Sequence, residues 1–155
     1  WFFQTWFPWP NGLKRILLRA FGAKVGQGVV VKPRVTIKYP WKLSIGDHCW
    51  IGEKVWIDNL GQVTLGNHCC LSQGALLLCG NHNYKKATFD LMVGDITLED
   101  GVWIGARASV RPGVTCGSHS VLAMGSTATG DLEAWGIHQG NPAQKTRHRA
   151  IETSE

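Results

Sequence analysis

Aliphatic residues recur along this chain every sixth position. Before a central break they are Val25, Val31, Ile37; Ile45, Ile51, Ile57; and Leu65, Leu71, Leu77. After it they are Leu98, Ile104, Val110; and Cys116, Leu122, Ala128. The next position is glycine at Gly26, Gly46, Gly52, Gly66, Gly105 and Gly117. The fifth position is small or β-branched, as in Val29, Val35, Val55, Ala75, Ala108, Val114, Ser120 and Ser126. A period of six is neither the 3.6 of a helix nor the 2 of a simple strand. It predicts a short strand and a turn, repeated, with three such units closing one triangular coil. The first-position aliphatics then stack inside a prism, and small fifth-position residues fit its narrow interior. Glycine serves the corners that need an unusual dihedral or a close approach. About five coils are predicted, rising about 24 Å at the strand spacing of a sheet.

Longer repeats contain this period. Residues 43–52 (LSIGDHCWIG), 63–72 (VTLGNHCCLS) and 96–105 (ITLEDGVWIG) align. The pairs Leu43-Ser44 and Val63-Thr64 are two-residue insertions at one corner. The period stops after His82 and resumes at Ile96, so residues 83–95 are predicted to be a loop thrown out from a corner. Sites tend to be built on loops carried by rigid scaffolds. Of six histidines, His48, His68 and His119 occupy one repeated polar turn position and read as surface residues. His138 lies in the last irregular turn and His148 in a basic tail. His82 alone sits where the repeat breaks. Cys79, three residues earlier, is a candidate nucleophile.

Residues 11–22 (NGLKRILLRAFG) carry Leu13, Ile16, Leu17, Ala20 and Phe21 at helical spacing, with Lys14, Arg15 and Arg19 off that face. This predicts a helix capped by Asn11 and stopped by Gly22. Terminal repeats need such a cap. Residues 1–10 (WFFQTWFPWP) are aromatic and uncharged, which also suits attachment to a membrane interface. The organisation expected is thus a cap over 1–24, a solenoid over 25–143 and a basic tail over 144–155.

The remaining composition narrows the function. A net charge of +5, scattered along the chain, does not point to nucleic acid but suits an anionic small molecule or a membrane surface. Five cysteines without a C-x-x-C pair read as free thiols in a reducing compartment. No apolar run approaches the ~20 residues of a membrane-spanning helix.

The repeats, the segment GNHNY at 80–84, EDGVWIG at 99–105 and GNPAQK at 140–145 together resemble the hexapeptide-repeat sugar O-acetyltransferases. Residues 16–26 (ILLRAFGAKVG), 37–47 (IKYPWKLSIGD) and 55–61 (VWIDNLG) look most like the colanic-acid-biosynthesis subgroup. The resemblance covers the chain from about residue 11. It implies a left-handed parallel β-helix, a cytoplasmic homotrimer with sites between subunits, and acetyl-CoA as co-substrate with no metal. The acceptor would be a sugar or lipid-linked glycan used in exopolysaccharide synthesis. By the same resemblance, His82 is the general base, the Ala106 N–H holds the oxyanion and Trp103 walls the thioester. Asp58, Asn59, Asn81 and Tyr84 are candidate acceptor contacts. The acceptor-binding Asn of galactoside-type enzymes aligns near Lys54, so that contact does not carry over. Coenzyme contacts map to Ala123, Met124, Gly125 and Thr129, with Lys145, Arg147 and Arg149 as candidate phosphate partners. The usual Thr-Lys-Asp reads Thr129-Gly130-Asp131, which lacks one cation. Two other functions fit the fold. A carbonic anhydrase would need three metal histidines, and no H-x-x-x-x-H lies near His82. A non-catalytic or ice-binding scaffold would favour a Thr-x-Thr ladder, which the sequence does not show.

Overall fold

A computed structural model of the chain describes Thr5, Phe7 and residues 9–151. Most of the aromatic N-terminal segment and residues 152–155 lie outside the described residues. The chain winds into a parallel β-helix with three faces. The first face stacks Lys24–Val25, Leu43–Ile45, Val63–Leu65, Ile96–Leu98 and Thr115–Cys116. The second stacks Val30–Val31, Trp50–Ile51, Cys70–Leu71, Trp103–Ile104, Val121–Leu122 and Gly136–Gly140, then closes with the antiparallel strand Ala143–His148. The third stacks Thr36–Ile37, Trp56–Asp58, Leu76–Leu78, Ser109–Val110 and Thr127–Ala128. The five coils read from the period are present. A sixth, partial turn follows them, carried by Leu132, which bridges Cys116, and by Ile137 and His138, which pair with Val121 and Leu122.

The interior follows the period of six. Every first-position residue is buried except Ile37, which is partly covered at the edge of the third face. All eight fifth-position residues named above are buried as well, Ser120 and Ser126 included. Each strand is too short to be stable alone. Its amides bond to the next coil, as Val30 N–H does to Cys49 and Trp50 N–H to Cys69. Stacking therefore converts isolated two-residue strands into continuous sheets and removes the apolar column from water. Cys49, Cys69, Cys79 and Cys116 belong to that column, and Cys70 is half-buried; all five are free thiols. On the outside of the first face, Ser44, Thr64, Thr97 and Thr115 align in one hydroxyl column rather than the paired Thr-x-Thr arrangement.

The N-terminal helix spans Asn11–Ala20, but it packs the opposite way from the sequence expectation. Its predicted apolar face points outward, with Ile16 63% and Phe21 60% exposed. The buried side is Lys14 and Leu18. The reason lies in what the solenoid end offers, which is a rim of backbone carbonyls. Lys14 Nζ donates to the Val31 carbonyl at 2.5 Å, Arg15 to Val29 at 3.1 Å, and Arg19 to Val25 at 2.6 and 3.0 Å. Asn11 does not cap its own helix; its Oδ1 accepts the Val31 N–H at 2.9 Å. Gly22 ends the helix as expected. With φ +89° it lets its own N–H reach the Arg19 carbonyl and the Ala23 N–H reach Leu18, a Schellman closure. Among the described residues, no helix is long and apolar enough to cross a membrane.

The C-terminal stretch also departs from expectation. Residues 144–148 belong to the last strand of the second face rather than a free tail. The turn before it contains a cis Asn141–Pro142 bond.

Candidate active site

The break in the repeat is an antiparallel hairpin, Gly80–His82 against Leu91–Val93, joined by residues 83–90. It leaves the corner between the third and first faces. Its root lies over the preceding coil: a side chain on Gly80 would strike Leu60, and one on Gly61 would meet Val93. That close approach explains glycine at both positions. The tip is tied by local bonds from Asn83 N–H to the Asp90 carbonyl and from Phe89 N–H to the Lys86 carbonyl. A Lys86–Asp90 ion pair at 3.0 Å adds to them. Hydrogen bonds from Thr88 and Lys86 hold the Asp90 carboxyl below its ordinary range.

His82 ends the first hairpin strand, opposite Leu91. Its Nδ1 lies 2.9 Å from the Phe89 carbonyl oxygen, and its ring stacks on Phe89 with centroids 4.5 Å apart and planes within 7°. A carbonyl only accepts, so this contact requires the proton on Nδ1 when the ring is neutral. Nε2 is then left as the lone-pair nitrogen, the form a general base needs. Phe89 was not among the residues singled out from the sequence. It holds a left-handed backbone (φ +49°), and nothing in a single sequence signals that conformation in an eight-residue connection.

The other candidates divide. Asn81 accepts the His82 N–H on its Oδ1, and Tyr84, 78% exposed, lies at the hairpin tip; both stay with His82. Asp58 is nearly buried and pairs with Lys38 at 3.0 Å. Asn59 is a correction. It is fully buried, and its amide is spent on backbone, accepting from Tyr39 N–H and donating to the carbonyls of Tyr39 and Lys42. No acceptor can reach it. Cys79 is also fully buried, and burial pushes its thiol up, which removes it as a nucleophile.

Trp103 projects from the second face, its indole N–H donating to Ser72 at 2.9 Å. Ala106 lies at the corner between the second and third faces. Its N–H makes no hydrogen bond among the described residues, while its carbonyl accepts from Gly125 N–H. Ala106 therefore stacks directly against the turn 123–125, where Met124 is exposed and Gly125 has φ +67°. Thr129 is exposed after the last strand of the third face. Lys145 is engaged by Glu133 at 2.6 Å, and Arg149 donates to the carbonyls of Gly101 and His119. Neither is an unattached phosphate partner, whereas Arg147 is exposed on the closing strand. Among the described residues, no group of three or more His, Cys, Asp or Glu is placed to hold a metal ion.

Two clusters result, at different corners of the triangle: His82 with its hairpin, and Trp103–Ala106 with the turn 123–125. One chain does not bring them together.

Known proteins resemble the chain in the same terms. A family model described as the hexapeptide repeat of succinyl-transferase matches residues 95–129. The Escherichia coli protein named "Putative colanic acid biosynthesis acetyltransferase WcaF" is 39% identical over 153 residues, covering 96% of this chain and 84% of that protein. The galactoside O-acetyltransferase of the same organism is 28% identical over 134 residues, covering 84% and 66%. Among solved structures, a hexapeptide-repeat acetyltransferase from Vibrio cholerae superposes with a TM-score of 0.85 at 24% identity, over 92% of this chain and 83% of that one. A galactoside acetyltransferase in complex with coenzyme A gives 0.85 at 25% identity, over 94% and 74%.

Proposed function

The chain belongs to the hexapeptide-repeat acetyltransferase family, and from that premise we propose that it transfers acetyl from acetyl-CoA to a hydroxyl of a sugar acceptor, with His82 as general base. The observation that carries this reading is the Phe89 carbonyl on His82 Nδ1, which orients the imidazole and leaves Nε2 as the acceptor. His82 Nε2 takes the proton as the sugar oxygen attacks the thioester carbonyl carbon. The oxyanion of the tetrahedral intermediate accepts a hydrogen bond from the Ala106 N–H. The C–S bond then breaks, and the imidazolium returns its proton to the departing thiolate. Holding both substrates together supplies the orientation, so no acyl-enzyme is needed.

The separation of the two clusters supports a homotrimer, in which His82 of one subunit faces Trp103 and Ala106 of the next. Coenzyme A lies along the corner of Ala106 and residues 123–125, with Arg147 and Thr129 toward its phosphates. Asn81 and Tyr84 approach the acceptor, and Asp58 sets the corner beneath them. The N-terminal helix turns Leu13, Ile16 and Phe21 outward, and Phe7, shortly before it in sequence, is exposed as well; this supports peripheral contact with a membrane where a lipid-linked glycan is presented. Ile16→Asp is then expected to abolish cosedimentation with lipid vesicles; unchanged cosedimentation, or none in the wild type, rejects the contact.

The test of the reaction is CoA release from acetyl-CoA with a panel of sugars and glycosides. His82→Ala is expected to lower turnover about 10²–10⁴-fold, the range of general-base catalysis. Turnover within a few-fold of wild type would remove His82 as the base.

A further inference from the structure

A groove of about 480 Å³ opens beside the hairpin, lined by Tyr39, Trp41, Lys42, Leu60, Leu91 and Val93. That volume suits a small ligand. Its floor is aliphatic and solvent-facing, Leu91 being 54% exposed. Its wall is aromatic. Tyr39 and Trp41 lie with ring centroids 5.1 Å apart at 40°, and Trp41 is 59% exposed. Lys42 does not bring an unattached charge, because its ammonium donates to the Leu60 carbonyl at 2.5 Å and lies 5.7 Å from the Tyr39 ring centre.

The aliphatic side of the groove is carried by the strand that pairs with the proposed base. Leu91 is the direct cross-strand partner of His82, and Val93 is the partner of Gly80. Alternation along a strand places His82, Leu91 and Val93 on one face of the hairpin. The wall is fixed rather than loose. The buried amide of Asn59 holds both ends of the turn that carries Tyr39 and Trp41, by three hydrogen bonds to Tyr39 and Lys42.

Resting on the acetyl-transfer reading, we propose that this groove is an acceptor subsite for a glycoside with an apolar aglycone. The C–H face of the sugar ring lies on Trp41 and Tyr39, and the apolar portion covers Leu60, Leu91 and Val93. Asn59 is a positioning residue for the aromatic wall. A free sugar would use the wall alone and leave the aliphatic floor wet. The floor gains only from an acceptor that carries an apolar group next to the ring, which sets the substrate class.

The test compares methyl and hexyl β-D-glucoside as probes, below micelle concentration, on methyl-labelled protein. Hexyl glucoside is expected to shift the methyl resonances of Leu60, Leu91 and Val93 saturably, with a Kd at least five-fold below that of methyl glucoside. Leu91→Ser, on the exposed hairpin, is expected to bring that ratio near one, and Asn59→Ala to weaken both probes alike, whereas Trp56→Ala on the outer third face leaves both affinities as in wild type. Equal affinities for the two probes, or shifts elsewhere only, overturn the subsite. CoA release with the same probes on wild type and His82→Ala reads the reaction separately. Groove binding together with transfer that ignores His82 would sink the base and spare the subsite.

Discussion

Histidine appears in two settings here, and they use different parts of the residue. His48, His68 and His119 form a column at one solenoid corner, each with φ between +55° and +58°. What the coil uses there is the main chain. Each N–H bonds to the coil before it, at Gln27, Asp47 and Asp100. The imidazoles lie outside, His48 and His68 stacking at 5.3 Å and His119 on Trp135 at 4.2 Å. Gly28 and Gly101 occupy the same column, and a side chain on either would collide with His48 or His119. The corner therefore needs a left-handed backbone and room, and no imidazole chemistry. His82 is the reverse case. Its backbone belongs to a hairpin outside the ladder, and its ring nitrogens are sorted by a carbonyl and a stacked phenyl. A residue type thus says little until the atom in use is known.

That contrast is open to direct attack. The largest effect expected is loss of transfer in His82→Ala, about 10²–10⁴-fold, beside His68→Ala with turnover within two-fold, roughly 0.4 kcal/mol. Comparable losses in both variants would erase the distinction.

Phe89→Gly comes next. Glycine keeps the left-handed backbone and the carbonyl but deletes the ring. An aromatic stack is worth about 0.5–1.5 kcal/mol, so kcat should fall roughly 2–10-fold with the KM for acetyl-CoA unchanged. A rise in that KM instead would mean that Phe89 supports coenzyme binding rather than the imidazole.

His138 offers a third use of the residue, as a buried neutral wedge. Its Nδ1 has no hydrogen bond among the described residues. Burial first, and then the Lys145 charge, lower its affinity for a proton. The unfolded imidazole titrates near 6.5. Between that value and the lower folded one, the unfolded chain binds more protons, so stability falls as pH falls through the window. Urea midpoints measured between pH 7 and pH 5 should decline, and His138→Gln should flatten the decline. An equal slope in the variant would assign the acid sensitivity elsewhere.

The smallest effect is expected in the column itself. His68→Gly removes an imidazole but relieves a left-handed non-glycine residue, which costs about 1 kcal/mol. Its melting temperature should stay within about 2 °C of wild type.

The period of six made the prism legible, because one stacked aliphatic per unit is a constraint every coil must meet. Val29, Ala75 and Ser120 were readable as interior residues for the same reason. His82 was legible as an interruption of that constraint. What the sequence hid depends on partners far along the chain. The amphipathic pattern of residues 11–22 marks a helix, but its docking face is chosen by the carbonyl rim, and carbonyls favour cations over leucines. Asn59 reads as a polar corner until the Tyr39–Lys42 turn is seen closing over it. Lys145 and Arg149 read as a tail because the pairing of residues 143–148 with 136–140, and the bond from Arg149 N–H to the Trp135 carbonyl, leave no period to detect.

The Lys14–Arg15–Arg19 rim has a consequence for colloidal behaviour. A bare end of a parallel solenoid is a template on which another molecule could continue the stack, copy upon copy, as a fibre. Here each rim oxygen that Lys14, Arg15 or Arg19 reaches is already occupied by a donor that cannot extend a strand. Asn11 occupies the one amide of Val31 in the same way. On the first two faces the helix works as a chain terminator, covering the first coil with groups that cannot add a strand.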